Sequence, residues 1–273
     1  MRILFLSDYQ PLYQALEEEA QRYSELEILS TDAQTQPLAL PDFDFLLLAP
    51  LGHSGEVSLE PDYSQLKFWQ EKLPQLLELS ASRQAQLLLI SSDRVFSPEQ
   101  QAVSEQDPTL AEDQLALRLL ELEQAAGSYP QSIILRTPPL LSSSLQGGLA
   151  QLIERCKKHQ APDDIDYRGL QPLDDLARVL LGIALQLDSG AQAHGIYHYA
   201  GSEPVSQTEL MHTLARYLNT PSYPGDLSGT TRQGMNTQHL LETFGVHPRA
   251  WRASLPDLLE KLDGSVHSDK DDT

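Results

Sequence analysis

The sequence predicts an α/β protein built on a doubly wound parallel sheet, with a smaller lobe in the carboxy-terminal half. Short apolar runs alternate with helical patterns through the first half of the chain, which is typical of βαβ units. One of these runs, 43–48, is almost wholly apolar, as a strand buried on both faces of a parallel sheet is. The chain has 273 residues, of which 40% are hydrophobic, and this is enough to form a large core.

The first half of the chain carries strand and helix patterns in alternation. In chain order they are strand 2–6, helix 11–22, strand 26–29, strand 43–48, helix 63–79, strand 86–91, helix 110–126 and strand 132–137. Leu12, Leu16 and Ala20 fall on one face of the first helix, as an amphipathic helix requires. We expect Pro74 to kink the second helix, and a pair of prolines to end the last of these strands.

Beyond residue 139 the pattern becomes mainly helical, which predicts a lobe that returns to the sheet. Helices are expected at 148–158, 173–187, 207–218, 237–244 and 255–262, with one strand at 195–200. We therefore predict that residues 1–140 form the α/β core and that residues 141–263 form a mainly helical region. This region returns to the sheet of the core through the strand 195–200. The polar segment 264–273 is predicted to be a disordered acidic tail.

Charge and cysteine content narrow the classes of partner and location. The chain has 39 acidic and 19 basic residues, for a formal net charge of −20. Such a surface repels phosphate backbones and anionic lipids, so we expect no nucleic-acid or membrane partner. No apolar run approaches the roughly 20 residues of a membrane span, and the amino-terminal apolar run is too short for a signal peptide. The single cysteine, Cys156, permits no intramolecular disulfide, and we predict a cytoplasmic protein.

The turn after the first strand lacks the glycines of a dinucleotide-binding site. In a Rossmann-like fold these glycines let a pyrophosphate approach the N–H groups of the following helix. Here the turn reads Ser7, Asp8, Tyr9 and Gln10. A side chain at a position that requires a positive φ costs about 1–2 kcal/mol and fills the space of a phosphate. We expect Asp8 to cap the helix, and we predict that neither NAD nor NADP binds here in the usual way.

Several segments follow one another in the order typical of one known family. They are residues 90–96 (ISSDRVF), 134–137 (ILRT), 174–177 (DDLA), 195–206 (GIYHYAGSEPVS), 245–246 (GV) and 248–255 (PRAWRASL). Together they resemble the extended short-chain dehydrogenase/reductases, in particular those of the dTDP-4-dehydrorhamnose reductase type. The resemblance spans most of residues 1–262. It implies a Rossmann-like doubly wound parallel sheet with a smaller carboxy-terminal substrate-binding lobe.

The resemblance also implies a set of catalytic residues that this chain keeps only in part. Members of the family use a Ser or Thr with a Tyr and a Lys four residues apart on a helix, where the ammonium lowers the pKa of the phenol. Ser92 matches the first of them, but the segment 110–121 contains neither Tyr nor Lys. Tyr63 and Lys67 have the right spacing but precede the Ser92 strand, so we interpret them as a surface pair. The regulatory β subunit of methionine adenosyltransferase is similar to these reductases, yet it acts on a partner.

Five further residues are candidates for substrate contact at the carboxyl edge of the sheet, where α/β proteins bind ligands. They are His53, Asp93, Arg94, Arg136 and, in a loop rich in Gly, Thr and Ser, Arg232. Other roles stay open for each of them. Arg94 would form a surface ion pair with Asp93 or a nearby acid, the other arginines would be structural, and His53 would be exposed to solvent. The histidines show no metal-binding spacing, and no metal is predicted.

Two functional hypotheses follow from these observations. The favoured one is a non-catalytic, reductase-like protein that binds a small molecule, such as a nucleotide sugar, or a protein partner, and needs no cofactor. The alternative is an NAD(P)-dependent nucleotide-sugar reductase or epimerase with an atypical site for NAD or NADP. The helix 110–126 would permit a homodimer, although its apolar stripe of Leu115, Leu119 and Leu122 equally suits packing on the sheet.

Overall fold

Strands and helices alternate through the first half of the chain, as predicted. The computed structural model describes residues 1–59, 63–221 and 233–271, with side chains described through Asp263. The strands of this part of the chain are β1 (Arg2–Leu6), β2 (Glu27–Ser30), β3 (Phe45–Leu48), β4 (Gln86–Ser92), β5 (Ser132–Thr137), β6 (Leu140–Leu141), β7 (Asp166–Tyr167), β8 (Gln171–Pro172), β9 (Gly195–His198) and β10 (Val205–Ser206). Its helices are α1 (Gln10–Ala20), α2 (Tyr63–Arg83), α3 (Gln114–Gly127), α4 (Gly148–Lys157), α5 (Leu173–Asp188), α6 (Gln207–Tyr217), α7 (Gln238–Phe244) and α8 (Trp251–Asp271), and short 3-10 helices cover Pro37–Ala39, Gly52–Gly55 and Asp93–Val95.

A parallel sheet of six strands, in the order β2-β1-β3-β4-β5-β9, forms the centre of the fold. The strands β3 and β5 are buried along their whole length, as the wholly apolar sequence of β3 predicts. Because β2 and β3 lie on opposite sides of β1, the winding of the chain reverses between β1 and β3. In open α/β sheets this switch point is where ligands bind. The predicted doubly wound, Rossmann-like sheet is confirmed.

Helices cover both faces of the sheet. The core on one face includes residues of α1, α5 and α7, and the core on the other face includes residues of α2 and α3. The stripe Leu115, Leu119 and Leu122 on α3 is buried in this second core. Helix α3 begins at Gln114, later than predicted, because the Asp113 side chain caps it by accepting the Ala116 N–H at 3.0 Å.

The carboxy-terminal lobe has a core of its own. Helices α4, α6 and α8 contribute to it, and Leu149, Leu152, Leu210, Trp251 and Leu255 are among its fully buried members. Two short strand pairs, β7 with β10 and β6 with β8, lie outside the main sheet. Strand β9 pairs with β5 in the central sheet, and helix α5 packs in the core on one face of that sheet.

The end of the chain differs from the predicted disordered tail. Helix α8 begins at Trp251 and continues to Asp271, so the described backbone of the tail is helical. Extending an existing helix adds one hydrogen bond for each residue fixed, which lets a helix anchored on a core continue into polar sequence. In the part of the chain that the structure describes, no helix is both long and apolar enough to cross a bilayer.

Candidate functional site

The turn between β1 and α1 uses its own backbone N–H groups. The Tyr9 N–H donates to Ser7 Oγ at 3.2 Å, and the Gln10 N–H donates to the Asp8 carbonyl at 3.0 Å. Pro11, the second residue of α1, has no N–H to offer. Pyrophosphates bind at helix amino termini through free N–H groups. The turn therefore does not fit a dinucleotide, although it lies at the switch point.

Asp8 does not cap α1, contrary to the prediction. The helix has no hydrogen bond from a capping side chain, and Tyr9 stands at the position before its first residue. The hydroxyl of Ser7 takes the Tyr9 N–H instead and also donates to the Ala49 carbonyl at 3.0 Å. A serine at the end of β1 thus ties the turn to the end of β3, and the Asp8 side chain is left exposed.

Tyr9 fills the space over the carboxyl ends of the central strands. Its side chain is 1% exposed and lies with Ser91, Ser92 and Thr137 around a cavity of 20 Å³. A cavity needs about 10–15 Å³ to hold one water molecule. The room beside Ser92 therefore suits a water molecule and is too small for a nicotinamide ring.

Glu56 holds Tyr9 in this position. The carboxylate is buried, and its Oε1 accepts the Tyr9 hydroxyl at 2.7 Å and lies 3.4 Å from His53 Nδ1. Its Oε2 accepts hydrogen bonds from Ser142 Oγ at 2.8 Å and from the Gly148 N–H at 2.9 Å. These partners compensate the cost of burying a carboxylate. Burial and the neighbouring Glu56 charge raise the pKa of Tyr9, so the phenol remains a donor.

The amino terminus of α4 approaches this network closely. A Cβ atom on Gly148 would lie 1.6 Å from the Val57 carbonyl oxygen, so only glycine fits at that position. The close approach lets Glu56 receive the N–H of the first residue of α4, where the helix dipole favours a negative charge. Glu56 thus organises the candidate site, although the sequence does not single it out. Its signal is an acidic residue inside the Gly- and Ser-containing loop that follows β3.

Ser92 ends β4 and makes local contacts. Its hydroxyl lies 3.3 Å from Asp93 Oδ1 and accepts the Arg94 N–H at 3.3 Å. Asp93 pairs across the lobes with buried Arg168 at 3.6 Å, so the alternative of an Arg94–Asp93 pair does not hold. The Arg168 guanidinium also donates to the Ser97 and Gln100 carbonyls, at 2.6 and 3.1 Å, and lies 5.9 Å from the centroid of the Phe96 ring. The half-buried Arg94 has no ion-pair partner among the described residues.

Arg136 is buried in an ion pair and does not face an open cleft. Its Nε and Nη2 donate to Glu123 at 2.9 and 2.6 Å, and Ser91 Oγ donates to the same carboxylate at 2.6 Å. Arg136 therefore has a structural role in this ion pair, which was the alternative to the predicted contact with a substrate. Glu123 lies on α3, the helix in which the resemblance places the Tyr and Lys. Leu115 and Leu119 lie at the preceding positions of the same helical face, which carries no phenol or ammonium.

The remaining candidates lie apart from Ser92. His53 lines a cavity of 780 Å³ beside α1. Arg232 lies outside the described residues. Tyr63 is 42% exposed, and Lys67 lies 4.0 Å from Glu71 on the same helix, as a surface pair would. Among the residues that the structure describes, no group of three or more His, Cys, Asp or Glu side chains could hold a metal ion.

His198 should make the stability of the protein depend on pH. The side chain is fully buried, and burial together with the charge of Arg136 lowers its pKa to about 3. In the unfolded chain a histidine titrates near pH 6.5. Between these pKa values the unfolded state binds a proton that the folded state does not, so stability is lost as the pH falls.

From pH 7 to pH 5 we expect this histidine to account for a loss of about 2 kcal/mol in the free energy of unfolding. Urea unfolding of the wild type and of His198→Leu at both pH values measures the effect. The wild type should lose more stability than the variant over this interval. Equal losses in the two proteins would contradict the prediction.

A doubly wound parallel sheet with a helical lobe beyond its last parallel strands is a Rossmann-like architecture. The sequence profile of the RmlD substrate binding domain matches residues 70–263, which is more than half of the chain. The chain therefore belongs to the RmlD substrate binding domain family. No match was found among curated proteins.

Solved structures of nucleotide-sugar enzymes share this fold. A dTDP-4-dehydrorhamnose reductase from Clostridium acetobutylicum is 19% identical, with a TM-score of 0.75 over 96% of this chain and 100% of that one. A dTDP-glucose 4,6-dehydratase from Bacillus anthracis, in complex with NAD, is 12% identical, with a TM-score of 0.77 over 97% of each chain. A UDP-glucuronic acid 4-epimerase from Bacillus cereus, in complex with UDP-glucuronic acid and NAD, is 14% identical, with a TM-score of 0.73 over 96% and 98%. The family resemblance stated from the sequence is confirmed.

Proposed function

We propose that this protein binds a nucleotide sugar and carries out no redox turnover with NAD or NADP. The observation that carries the proposal is Tyr9, whose buried phenol is bonded to Glu56 and leaves 20 Å³ of space beside Ser92. A dinucleotide would have to displace this side chain and leave the Glu56 carboxylate without a donor. The turn that would receive its pyrophosphate has already used the N–H groups of Tyr9 and Gln10.

The lack of a proton relay supports the same proposal. The segment 110–121, in which the resemblance places a phenol and an ammonium, carries neither, and its Leu115 and Leu119 are both 1% exposed. Ser92 alone cannot replace them, because an aliphatic hydroxyl is a weak acid without a neighbouring base or cation. The choice of a nucleotide sugar as the ligand is supported by the family to which the chain belongs, because its members act on nucleotide sugars.

A second candidate is an NAD(P)-dependent nucleotide-sugar reductase or epimerase with an atypical cofactor site. Family membership favours it, and so do the enzymes to which the chain is similar over nearly their full length. This candidate requires Tyr9 to leave its site and a proton donor to come from outside α3. The comparisons support this candidate, whereas the geometry around Tyr9 supports the first.

Thermal unfolding with a panel of ligands separates the two candidates. A ligand at about 100 times its Kd stabilises a protein by roughly 2.7 kcal/mol, which raises the Tm of a chain of this size by several degrees. We expect a rise with UDP- or dTDP-sugars and none with NAD(H) or NADP(H). A rise with a dinucleotide, or consumption of NAD(P)H that depends on a nucleotide sugar, would favour the second candidate. No rise with any ligand would make a protein partner the better proposal.

The remaining features of the proposal concern location and assembly. A cytoplasmic location rests on the single cysteine, and the acidic surface argues against nucleic-acid and membrane partners. A homodimer through the stripe of α3 is not part of the proposal, because Leu115, Leu119 and Leu122 are buried in the core of the same chain.

A further inference from the structure

We propose that the 780 Å³ cavity beside α1 binds a neutral, polyhydroxylated ligand, namely a hexose that is either free or part of a nucleotide sugar. The cavity lies between the first two turns of α1, the loop 143–146 and the start of α5, with Lys261 of α8 also in its lining. Its volume falls within the range of about 300–1,000 Å³ that is usual for small-molecule sites. In its nucleotide-linked form this inference rests on the proposed function.

The cavity is lined by polar groups that the protein does not itself use. The side chains of Gln10, Gln14, Ser143 and Gln146 all face it, and none has a hydrogen-bond partner among the described residues. An amide and a hydroxyl can each donate and accept a hydrogen bond. Sugar hydroxyls require the same combination, because each of them also donates and accepts. An apolar ligand would displace water from these groups without replacing its hydrogen bonds.

The charges of the cavity favour a neutral ligand over an anion. Lys261 Nζ lies 3.1 Å from a Glu18 oxygen and 2.9 Å from an Asp174 oxygen, so its positive charge is already paired. A phosphate placed in the cavity would meet two carboxylates for one ammonium, in a protein with a net charge of −20. For a sugar the same carboxylates are acceptors for hydroxyl groups.

His53 gives the cavity one positioned polar group. Its ring is held against the Tyr9 ring, with centroids 4.9 Å apart, and its Nδ1 lies 3.4 Å from Glu56 Oε1. The side chain is nevertheless 44% exposed. Pro11, Leu145 and Leu173 supply apolar surface for the C–H face of a sugar ring.

Titration calorimetry with a cavity-filling variant tests the inference. Gln14 is exposed on α1, so Gln14→Trp should fold normally and occupy the cavity with an indole. Gln124→Trp, on the exposed side of α3, is the matched control. The probes are UDP-glucose, dTDP-glucose, UDP and free glucose. We expect Gln14→Trp to weaken binding of the glucose-containing probes at least 10-fold, and Gln124→Trp to leave it unchanged.

The other outcomes separate this inference from the proposed function. If UDP-glucose binds equally well to wild type and Gln14→Trp, the cavity assignment is overturned and the proposed function stands. If UDP binds as tightly as UDP-glucose and is equally sensitive to Gln14→Trp, the neutral ligand class is overturned. Binding of free glucose alone, lost in Gln14→Trp, supports the cavity and overturns the nucleotide-sugar function. If none of the four probes binds the wild type, the hexose assignment is overturned.

Discussion

Glu123→Ala should lower the free energy of unfolding by about 3–5 kcal/mol, which is the usual cost of removing one partner of a buried ion pair. Arg136 is 3% exposed and donates two charge-assisted hydrogen bonds to this carboxylate, at 2.9 and 2.6 Å. Its Nη1 already lacks a partner among the described residues. Without Glu123 the whole guanidinium would be buried and unpaired, and Ser91 Oγ would lose its acceptor. Urea unfolding followed by circular dichroism measures the loss.

A double variant shows whether the loss comes from the unpaired charge. Glu123→Leu combined with Arg136→Met removes both charges and keeps much of the buried volume. Replacing a buried ion pair by apolar residues is often neutral or stabilising, so the double variant should be more stable than Glu123→Ala. A loss below about 1 kcal/mol for Glu123→Ala would mean that water or another acid reaches Arg136, contrary to the described pair.

Tyr9→Ala should lower the free energy of unfolding by about 3–5 kcal/mol, as expected when a fully buried aromatic side chain is removed. Tyr9→Phe keeps the ring and removes only the hydroxyl that donates to Glu56 at 2.7 Å. It should cost about 1–3 kcal/mol, because the buried carboxylate loses a donor. Chemical denaturation of both variants gives these values.

Tyr63→Ala is the control for the loss of a tyrosine ring. Tyr63 is 42% exposed at the start of α2, so its replacement should change stability by no more than about 0.5 kcal/mol. If Tyr9→Phe lowered the free energy of unfolding no more than Tyr63→Ala does, the hydrogen bond to Glu56 would not hold the ring over the sheet edge. The argument that Tyr9 closes the cleft would then lose its basis.

The sheet could be predicted from sequence because apolar runs and helical periodicity are local signals. The bounds of β1 and β5 agree with the predicted ranges 2–6 and 132–137. The strands β6, β7, β8 and β10 could not be predicted, since each has two residues and two residues show no periodicity. The apolar leucine at position 110 predicts an earlier start for α3 than the structure has, because the side chain of Asp113 caps the helix.

The candidate site was predictable in its position and less so in its contacts. The turn at Tyr9 and the strand end at Ser92 follow from fold topology, which brings the carboxyl ends of parallel strands to one edge. The partners of Asp93 and Arg136 are Arg168 and Glu123, and neither pairing carries a local signal. The missing glycines indicate what the turn does not bind. The structure shows that the Tyr9 side chain, held by its hydrogen bond to Glu56, occupies the space at the sheet edge.

The burial of Glu56 also constrains the order in which the chain can fold. Its carboxylate accepts hydrogen bonds from a residue 47 positions earlier and from residues 86 and 92 positions later. During synthesis Glu56 leaves the ribosome long before Ser142 and Gly148, so its charge must remain hydrated until α4 has been made. Contacts of such long sequence separation form late and slowly. The amino-terminal half can therefore build its sheet early, but the closed edge of that sheet is completed only when the carboxy-terminal half arrives.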